Sequence, residues 1–263
     1  MTASETHLQA LKEKITNRTA IVGVVGLGYV GLPFAVEKAK VGFRVIGVEQ
    51  NPRRAELVNR GESYIADVPT EVLKEVVDKG LLRAETGFDR VAEMDVIVIA
   101  VPTPLTRNLT PDLQYVERVT REIAPRLRPG QLISLESTTY PGTTEEVMLP
   151  ILEQSGLKVE GDFFLVHSPE RVDPGNKRYT TRNTTKVVGG VGPRSLEAGV
   201  FFYSQTIEQV VPVSRAKAAE HQRDEALARY HNYEFASAAF QIGIVLASAQ
   251  VITGMVVLGW LSG

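Results

Sequence analysis

The chain has 263 residues, of which 43% are hydrophobic and 23% charged, and its formal net charge is −2 at pH 7. This composition is that of a globular protein of one large or two small domains, and the charge excludes a broad basic footprint for nucleic acid. The sequence contains no cysteine, which excludes disulfides, thiolate–metal sites and a cysteine nucleophile from this chain, and we assign it no metal site.

Apolar runs alternate with helical patterns along most of the chain. The runs predict strands at residues 20–28, 43–50, 95–102, 131–137, 162–168, 186–190 and 207–213. Helical patterns lie between them at residues 52–60, 69–79, 112–126, 143–154 and 193–204. Strands that alternate with helices through short links predict an α/β protein with a Rossmann-type doubly wound parallel sheet. A long C-terminal helix is predicted to follow the sheet.

The segment GLGYVG at residues 26–31 has the pattern G-x-G-x-x-G. It follows a predicted strand and opens a predicted helix, which is the context that dinucleotide binding requires. We expect Gly26 to permit a tight turn, Gly28 to let a pyrophosphate approach the backbone, and Gly31 to let the helix and strand pack closely. The start of the helix then offers N–H groups and a positive dipole end to the phosphates. The predicted cofactor contacts of this segment are Gly26, Gly28, Tyr29, Val30 and Gly31.

Glu49 ends the second predicted strand, 18 residues after Gly31. A carboxylate there accepts hydrogen bonds from the adenosine ribose hydroxyls and repels a 2′-phosphate, so NAD is predicted rather than NADP. An arginine nearby could receive such a phosphate, so Arg53 and Arg54 keep NADP open, and Arg54 is a predicted cofactor contact. The other interpretation is a glycine-rich turn that binds nothing, with Glu49 as a solvated strand end.

Five segments with specific sequences follow one another in the chain. They are GLGYVGLPFA (26–35), VPTPL (101–105), ESTTYPGTT (136–144), SPERVDPGN (168–176) and KVVGG (186–190). In order and spacing they resemble the UDP-glucose/GDP-mannose dehydrogenase family, and most of all its UDP-N-acetylhexosamine 6-dehydrogenase branch, over about residues 19–220. The resemblance implies a UDP-sugar substrate whose C6 is oxidised twice, from alcohol to acid, with two NAD.

The resemblance implies roles for residues after the third and fourth predicted strands. Val101, Pro102 and Thr103 are expected to line the NAD site, and Thr138 is expected to position a water or the C6 oxygen of the substrate near the nicotinamide. Pro102 and Pro104 could also simply end a strand.

The segment SPER contains two further residues with roles implied by the resemblance. Glu170 matches the carboxylate that assists thioester hydrolysis, and Arg171 is expected to face the sugar nucleotide. Alternatively, Glu170 and Arg171 could form an exposed ion pair of little energetic weight. His167 is expected to be a packed strand residue rather than a base.

The match ends near residue 220. The family continues with a helix that carries a catalytic lysine and an asparagine, whereas this chain continues with HQRDEALARYHNYE, which matches neither. The family's second, sugar-nucleotide domain and its catalytic cysteine are not found either, and a serine or water attacks an aldehyde less well than a thiolate does. We therefore expect the isolated chain to bind NAD without converting UDP-sugars to uronic acids, unless a companion subunit supplies the other half.

Residues 235–263 contain no charged residue and exceed the ~20 apolar residues that span a membrane. Ala239, Gly243 and Ala247 place small residues four apart, and Trp260 lies where an interfacial aromatic is expected. These features predict a tail anchor in the inner membrane, with the NAD domain in the cytoplasm. The segment also faintly resembles the C-terminal helix of a family of small uncharacterised bacterial membrane proteins. The alternative is a buried helix of a soluble, cytoplasmic homodimer.

These patterns predict three regions in the chain. They are a helical extension at residues 1–18, an NAD-binding Rossmann domain at 19–213 and a long helix at 214–263. The first 20 residues have no apolar core of signal-peptide length, which also favours the cytoplasm. Three functions remain open: part of a nucleotide-sugar dehydrogenase, a membrane-tethered NAD-binding module without turnover, or a truncated or fused gene product.

Overall fold

A computed structural model describes most of the chain before the predicted long helix. The described residues are 2–106, 110–169, 183–213 and 216. They belong to the compact unit Met1–His221, and the second unit, Gln222–Gly263, lies outside them. The predicted membrane anchor at residues 235–263 therefore lies outside the described residues. Glu170 and Arg171 lie outside them as well. In the ranges that are described, no helix is both long and apolar enough to cross a membrane.

Short runs rich in Val, Ile and Leu form the strands, because such side chains fit a pleated surface that is covered on both faces. The described strands are β1 (Ile21–Val25), β2 (Arg44–Val48), β3 (Leu82–Glu85), β4 (Val96–Ile99), β5 (Leu132–Leu135), β6 (Phe164–His167), β7 (Lys186–Gly190) and β8 (Val210–Val213). They form one sheet in the order β3-β2-β1-β4-β5-β6-β7-β8. All neighbours from β3 to β6 are parallel, so the predicted Rossmann-type sheet is confirmed.

Two features of the sheet differ from the sequence-based expectation. Strand β3 was not predicted, because its sequence LRAE has no apolar run and only half of its residues are buried. Strand β7 runs antiparallel to β6, although β8 is again parallel to β7. Periodicity indicates that a segment is a strand but carries no information about its direction in the sheet.

Helices cover both faces of the sheet. The described α-helices are α1 (Ala3–Thr16), α2 (Gly31–Lys40), α3 (Pro52–Asn59), α4 (Thr70–Asp78), α5 (Gln114–Ile123), α6 (Leu149–Leu152) and α7 (Pro193–Tyr203). The predicted helix at residues 143–154 is less regular than expected, since a π-helical segment, Thr143–Met148, precedes α6.

Two hydrophobic layers sandwich the sheet, and successive residues of β4 alternate between them. Val98 belongs to the layer beneath α2 and α7, where Phe34 and Phe202 lie. Ile97 belongs to the opposite layer, where Val116 of α5 lies. This alternation is the two-residue period of a strand that is buried on both sides.

Asp95 closes the amino-terminal end of the sheet. Its carboxylate accepts hydrogen bonds from Lys14 Nζ (2.8 Å), Arg128 Nη2 (2.6 Å) and the Ile21 backbone N–H (3.0 Å). Burial alone would raise the pKa of Asp95, but these three hydrogen bonds outweigh it and hold the pKa below its usual value. The network ties α1, β1 and the entry to β5 together, which leaves the carboxyl ends of the strands as the place for a ligand site.

Candidate functional site

The loop between β1 and α2 is closed towards the protein at two glycines and open at a third. Gly26 has a φ of 91°, and a Cβ at this position would lie 2.5 Å from the Ala100 carbonyl oxygen. A Cβ at Gly31 would lie 1.8 Å from the Gly26 carbonyl oxygen. A Cβ at Gly28 would meet no atom within 4 Å. This steric pattern is the one a phosphate-binding turn requires, because only the middle glycine faces free space.

Glu49 lies directly after β2 and reaches the glycine loop. Its Oε2 accepts a hydrogen bond from the Leu27 N–H (3.2 Å), and its Oε1 accepts one from the Asn51 N–H (3.0 Å). Only 8% of Glu49 is exposed, so it is not the solvated strand end of the alternative interpretation. The carboxylate is held beside the loop by two backbone amides.

A first cavity of about 520 Å³ opens at the carboxyl ends of β1, β2 and β4. Arg54 of α3 lines it, and Tyr115 and Arg118 of α5 also contribute to its wall. The predicted cofactor contacts that line this cavity are Gly26, Gly28, Tyr29, Val30, Glu49, Arg54, Val101 and Pro102. Gly31 is the one predicted glycine that packs beneath the loop instead.

A second cavity of about 180 Å³ continues from the first towards β5. The two cavities share the lining residues Val30, Ala100, Val101 and Pro102. Thr103 and the exposed Thr138 line the second cavity. The structure therefore brings the predicted nicotinamide-side residues to one end of a groove whose other end is Glu49.

Ser137 joins the two loops that form the second cavity. Its Oγ accepts a hydrogen bond from the Val101 N–H (3.0 Å) and donates one to the Val101 carbonyl oxygen (2.8 Å). Sequence reasoning missed this residue, because a serine next to Thr138 gives no local signal for a contact 36 residues away.

A buried ion pair supports the end of β5 beneath this cavity. The Glu136 carboxylate lies 3.2 Å from Lys186 Nζ and accepts a hydrogen bond of 2.7 Å from the Tyr203 hydroxyl. The Tyr203 hydroxyl also lies 2.7 Å from Ser134 Oγ. Burial, with Glu136 nearby, raises the pKa of Tyr203 well above its usual value, so its hydroxyl stays protonated. Glu136 also lines the second cavity, and sequence reasoning missed its role.

An NAD molecule placed as the sequence predicts would have its adenosine near Glu49, its pyrophosphate near the open face of Gly28 and its nicotinamide near Thr138. Glu49 and Gly28 line the first cavity, and Thr138 lines the second. NAD bound in this way would supply the hydride acceptor for an oxidation at the second cavity.

Strand β6 ends at His167, shortly before two residues with roles expected at the substrate. His167 is 1% exposed and pairs with Leu135 of β5, as expected for a packed strand residue. Glu170 and Arg171 follow it but lie outside the described residues, so their expected roles stay predictions.

Comparison with known proteins agrees with this geometry. Residues 20–207 match the model of the UDP-glucose/GDP-mannose dehydrogenase family, NAD binding domain. The chain belongs to this family. It therefore carries the NAD-binding domain of that family, as the glycine loop and the resemblance predicted. Residues 205–263 match a separate domain of unknown function, DUF4337.

Relatives in the family support the same assignment. The chain is 36% identical over 209 residues to an NDP-N-acetyl-D-galactosaminuronic acid dehydrogenase of Ralstonia nicotianae, covering 76% of this chain and 48% of the relative. It is 36% identical over 187 residues to a UDP-N-acetyl-D-glucosamine 6-dehydrogenase of Pseudomonas aeruginosa, covering 71% of this chain and 43% of the relative.

A solved structure has a fold similar to that of this chain. The crystal structure of an NDP-N-acetyl-D-galactosaminuronic acid dehydrogenase from Methanosarcina mazei Go1 superposes with a TM-score of 0.75 at 34% identity. The match covers 84% of this chain and 48% of that chain. The chain thus spans about half the length of the relatives that it matches.

Proposed function

We propose that this family member acts as the NAD-binding half of a nucleotide-sugar 6-dehydrogenase that oxidises C6 of UDP-glucose or a UDP-N-acetylhexosamine. The observation that carries the proposal is the groove that runs from Glu49 past the glycine loop to Thr138. Its two adjoining cavities are lined by the residues predicted for the adenosine, pyrophosphate and nicotinamide contacts. The names of the relatives support a UDP-N-acetylhexosamine as the substrate class.

Each predicted site residue has a proposed role in this groove. Glu49 binds the adenosine ribose, and Arg54 lines the same end. Thr138 positions the C6 oxygen of the substrate or a water at the second cavity, where this residue is exposed. Glu170 assists hydrolysis of an acyl intermediate, and Arg171 faces the sugar nucleotide. The remaining proposed NAD contacts are Gly26, Gly28, Tyr29, Val30, Gly31, Val101, Pro102 and Thr103.

Complete oxidation to the acid needs a thiolate in this proposal, and these 263 residues do not supply one. An aldehyde must form a tetrahedral adduct before it can lose a second hydride, and a thiolate is the nucleophile that the family uses for this purpose. The residues of this chain include no cysteine. We propose that the isolated chain binds NAD and that a companion subunit contributes the thiolate and the sugar-nucleotide site.

Titration calorimetry with NAD and a parallel assay of NADH release test this proposal. We expect the purified full chain to bind NAD and to release no NADH from UDP-N-acetylglucosamine or UDP-glucose. Glu49→Ala is expected to weaken NAD binding about tenfold or more, since it removes the carboxylate at the adenosine end.

The matched control for this test is Glu56→Ala on α3. The Glu56 carboxylate forms an exposed ion pair with Arg60, at 3.6 Å, and its loss is expected to leave NAD affinity unchanged. Equal NAD affinity of Glu49→Ala and the unsubstituted chain would remove Glu49 from the site. Robust NADH release from either sugar nucleotide would show that the chain is competent alone.

We also propose that the domain division is 1–18, 19–213 and 214–263, and that residues 235–263 anchor the NAD domain to a membrane. The absence of charge from residues 235–263 supports this proposal. The separate family match over residues 205–263 supports a second region that follows the dehydrogenase domain. It favours, as a second candidate function, a membrane-tethered NAD-binding module without turnover.

Carbonate extraction of cells that express the full chain tests the anchor. We expect the protein to stay in the membrane pellet, because a helix inserted in the bilayer resists alkaline extraction and a peripheral contact does not. Recovery in the supernatant, together with a dimer in size-exclusion chromatography, would instead support the dimer helix.

A further inference from the structure

Leu27, the residue between the first two glycines of the loop, is held from three sides. Its side chain is fully buried over β2, where a Cβ at Gly47 would lie 2.6 Å from Leu27 Cδ1. Its N–H donates to Glu49 Oε2 at 3.2 Å, and its carbonyl oxygen accepts a hydrogen bond of 2.7 Å from the Tyr64 hydroxyl. The hydrogen bond to the carbonyl oxygen is the shorter of these two polar contacts.

Tyr64 reaches the loop from the connection between α3 and α4. The connection is anchored after Tyr64, since Ile65 and Val68 are buried in the layer beneath α2. The Arg54 guanidinium lies 5.4 Å from the centre of the Tyr64 ring. Burial, with Glu49 nearby, raises the pKa of Tyr64 to about 12, so its hydroxyl remains a hydrogen-bond donor at neutral pH.

The bond to Leu27 also determines where the next amide points. In a planar trans peptide the C=O and the following N–H point in opposite directions. A carbonyl of Leu27 that faces Tyr64 therefore directs the Gly28 N–H away from Tyr64. Within the described part of the chain this N–H makes no hydrogen bond, and Gly28 lines the first cavity.

Without this bond the Leu27–Gly28 peptide would be free to rotate, because glycine accepts conformations that other residues do not. We propose that Tyr64 is a positioning residue for the cofactor: its hydroxyl holds the Leu27–Gly28 peptide so that the Gly28 N–H is directed at the pyrophosphate. The inference rests on the proposed function, since it assumes that the first cavity receives the adenosine and pyrophosphate of NAD.

Binding of three ligands to the full chain and to Tyr64→Phe tests the inference. Phenylalanine keeps the ring beside Arg54 and removes only the hydroxyl. We expect the Kd values of NAD and ADP to rise by the same factor of roughly three to ten, the usual worth of one neutral hydrogen bond. The Kd of adenosine, which has no phosphate, is expected to stay within about twofold, and its binding also shows that the variant is folded.

Ser155→Ala is the matched control, because it also removes one part-buried hydroxyl that donates to a backbone carbonyl, that of Leu152 at 2.7 Å, and it lies outside both cavities. It is expected to lower the free energy of unfolding and to leave the ADP affinity unchanged. If Tyr64→Phe bound ADP as tightly as the unsubstituted chain, the inference would be overturned, but the proposed function would not. An equal loss of adenosine and ADP would also overturn it, since Tyr64 would then act on the adenosine end. If the unsubstituted chain bound neither NAD nor ADP, the proposed function itself would fail.

Discussion

The two cavities of the groove are built in different ways. The first cavity takes its floor from the residues of one loop and from Glu49 at the end of the adjacent strand. The second cavity is assembled from the ends of β4 and β5, which Ser137 joins through hydrogen bonds to Val101 across 36 residues. Beneath it, the carboxylate of Glu136 is held by Lys186 and Tyr203 from still farther along the chain.

This difference separates two kinds of sensitivity to mutation. At the first cavity the shape depends on the absence of side chains, so substitutions that add atoms should lower ligand affinity most. At the second cavity the shape depends on side-chain hydrogen bonds, so substitutions that remove atoms should lower it most. In the proposed function the two cavities would also divide the ligand, because ADP would occupy only the first cavity and NAD would occupy both.

The largest effect is expected from adding one methyl group to the glycine loop. In Gly31→Ala the new Cβ would overlap the Gly26 carbonyl oxygen, at 1.8 Å, so the loop or α2 must move. We expect the free energy of unfolding to fall by about 1–3 kcal/mol, as for other overpacked sites. Because the displaced loop loses its phosphate contacts, NAD and ADP affinity should both fall by about a hundredfold or more.

Gly28→Ala is the matched control for this substitution. Its Cβ meets no protein atom within 4 Å, so we expect stability close to that of the unsubstituted chain and a loss of ligand affinity only. Denaturant unfolding and calorimetry on both variants measure the contrast. Equal stability of Gly31→Ala and Gly28→Ala would show that the loop is not closed at Gly31, and tight NAD binding by Gly28→Ala would place the pyrophosphate elsewhere.

A smaller effect is expected from Ser137→Ala at the second cavity. The change leaves the Val101 N–H and carbonyl oxygen without the serine hydroxyl, and the loop of Val101–Thr103 loses its link to β5. We expect a loss of about 1–2 kcal/mol in the free energy of unfolding. NAD affinity is expected to fall roughly threefold to fivefold while ADP affinity stays unchanged, whereas Tyr64→Phe is expected to weaken the binding of both ligands.

Ser155→Ala serves as the control for Ser137→Ala. Its Oγ likewise donates to a backbone carbonyl, that of Leu152 (2.7 Å), and accepts from a backbone N–H, that of Leu157 (3.2 Å). It lies outside both cavities, so both ligand affinities should be retained. A parallel loss of ADP and NAD affinity in Ser137→Ala would mean that the two cavities are not independent.

Much of the fold was predictable from the sequence because its signals are local. The strands β1, β2, β4, β5 and β6 are apolar runs, and the glycine loop with Glu49 lies within 24 residues. Strand β3 and the reversed direction of β7 were missed, since a polar edge strand shows no apolar run and direction depends on where the connection lands. The expected roles of Thr138, Glu170 and Arg171 in the reaction came from the resemblance to the family. Glu170 and Arg171 lie outside the described residues.

The sequence by itself determined the alternation of strands and helices, the turn at Gly26–Gly31 and the acid at the end of β2, because each depends on neighbouring residues and backbone sterics. Only the tertiary structure showed that Tyr64 holds the Leu27 carbonyl, that Ser137 holds Val101, and that Lys186 and Tyr203 hold Glu136. These contacts join residues that are far apart in the chain. Their hydrogen bonds form only once the sheet has brought those residues within about 3 Å of one another.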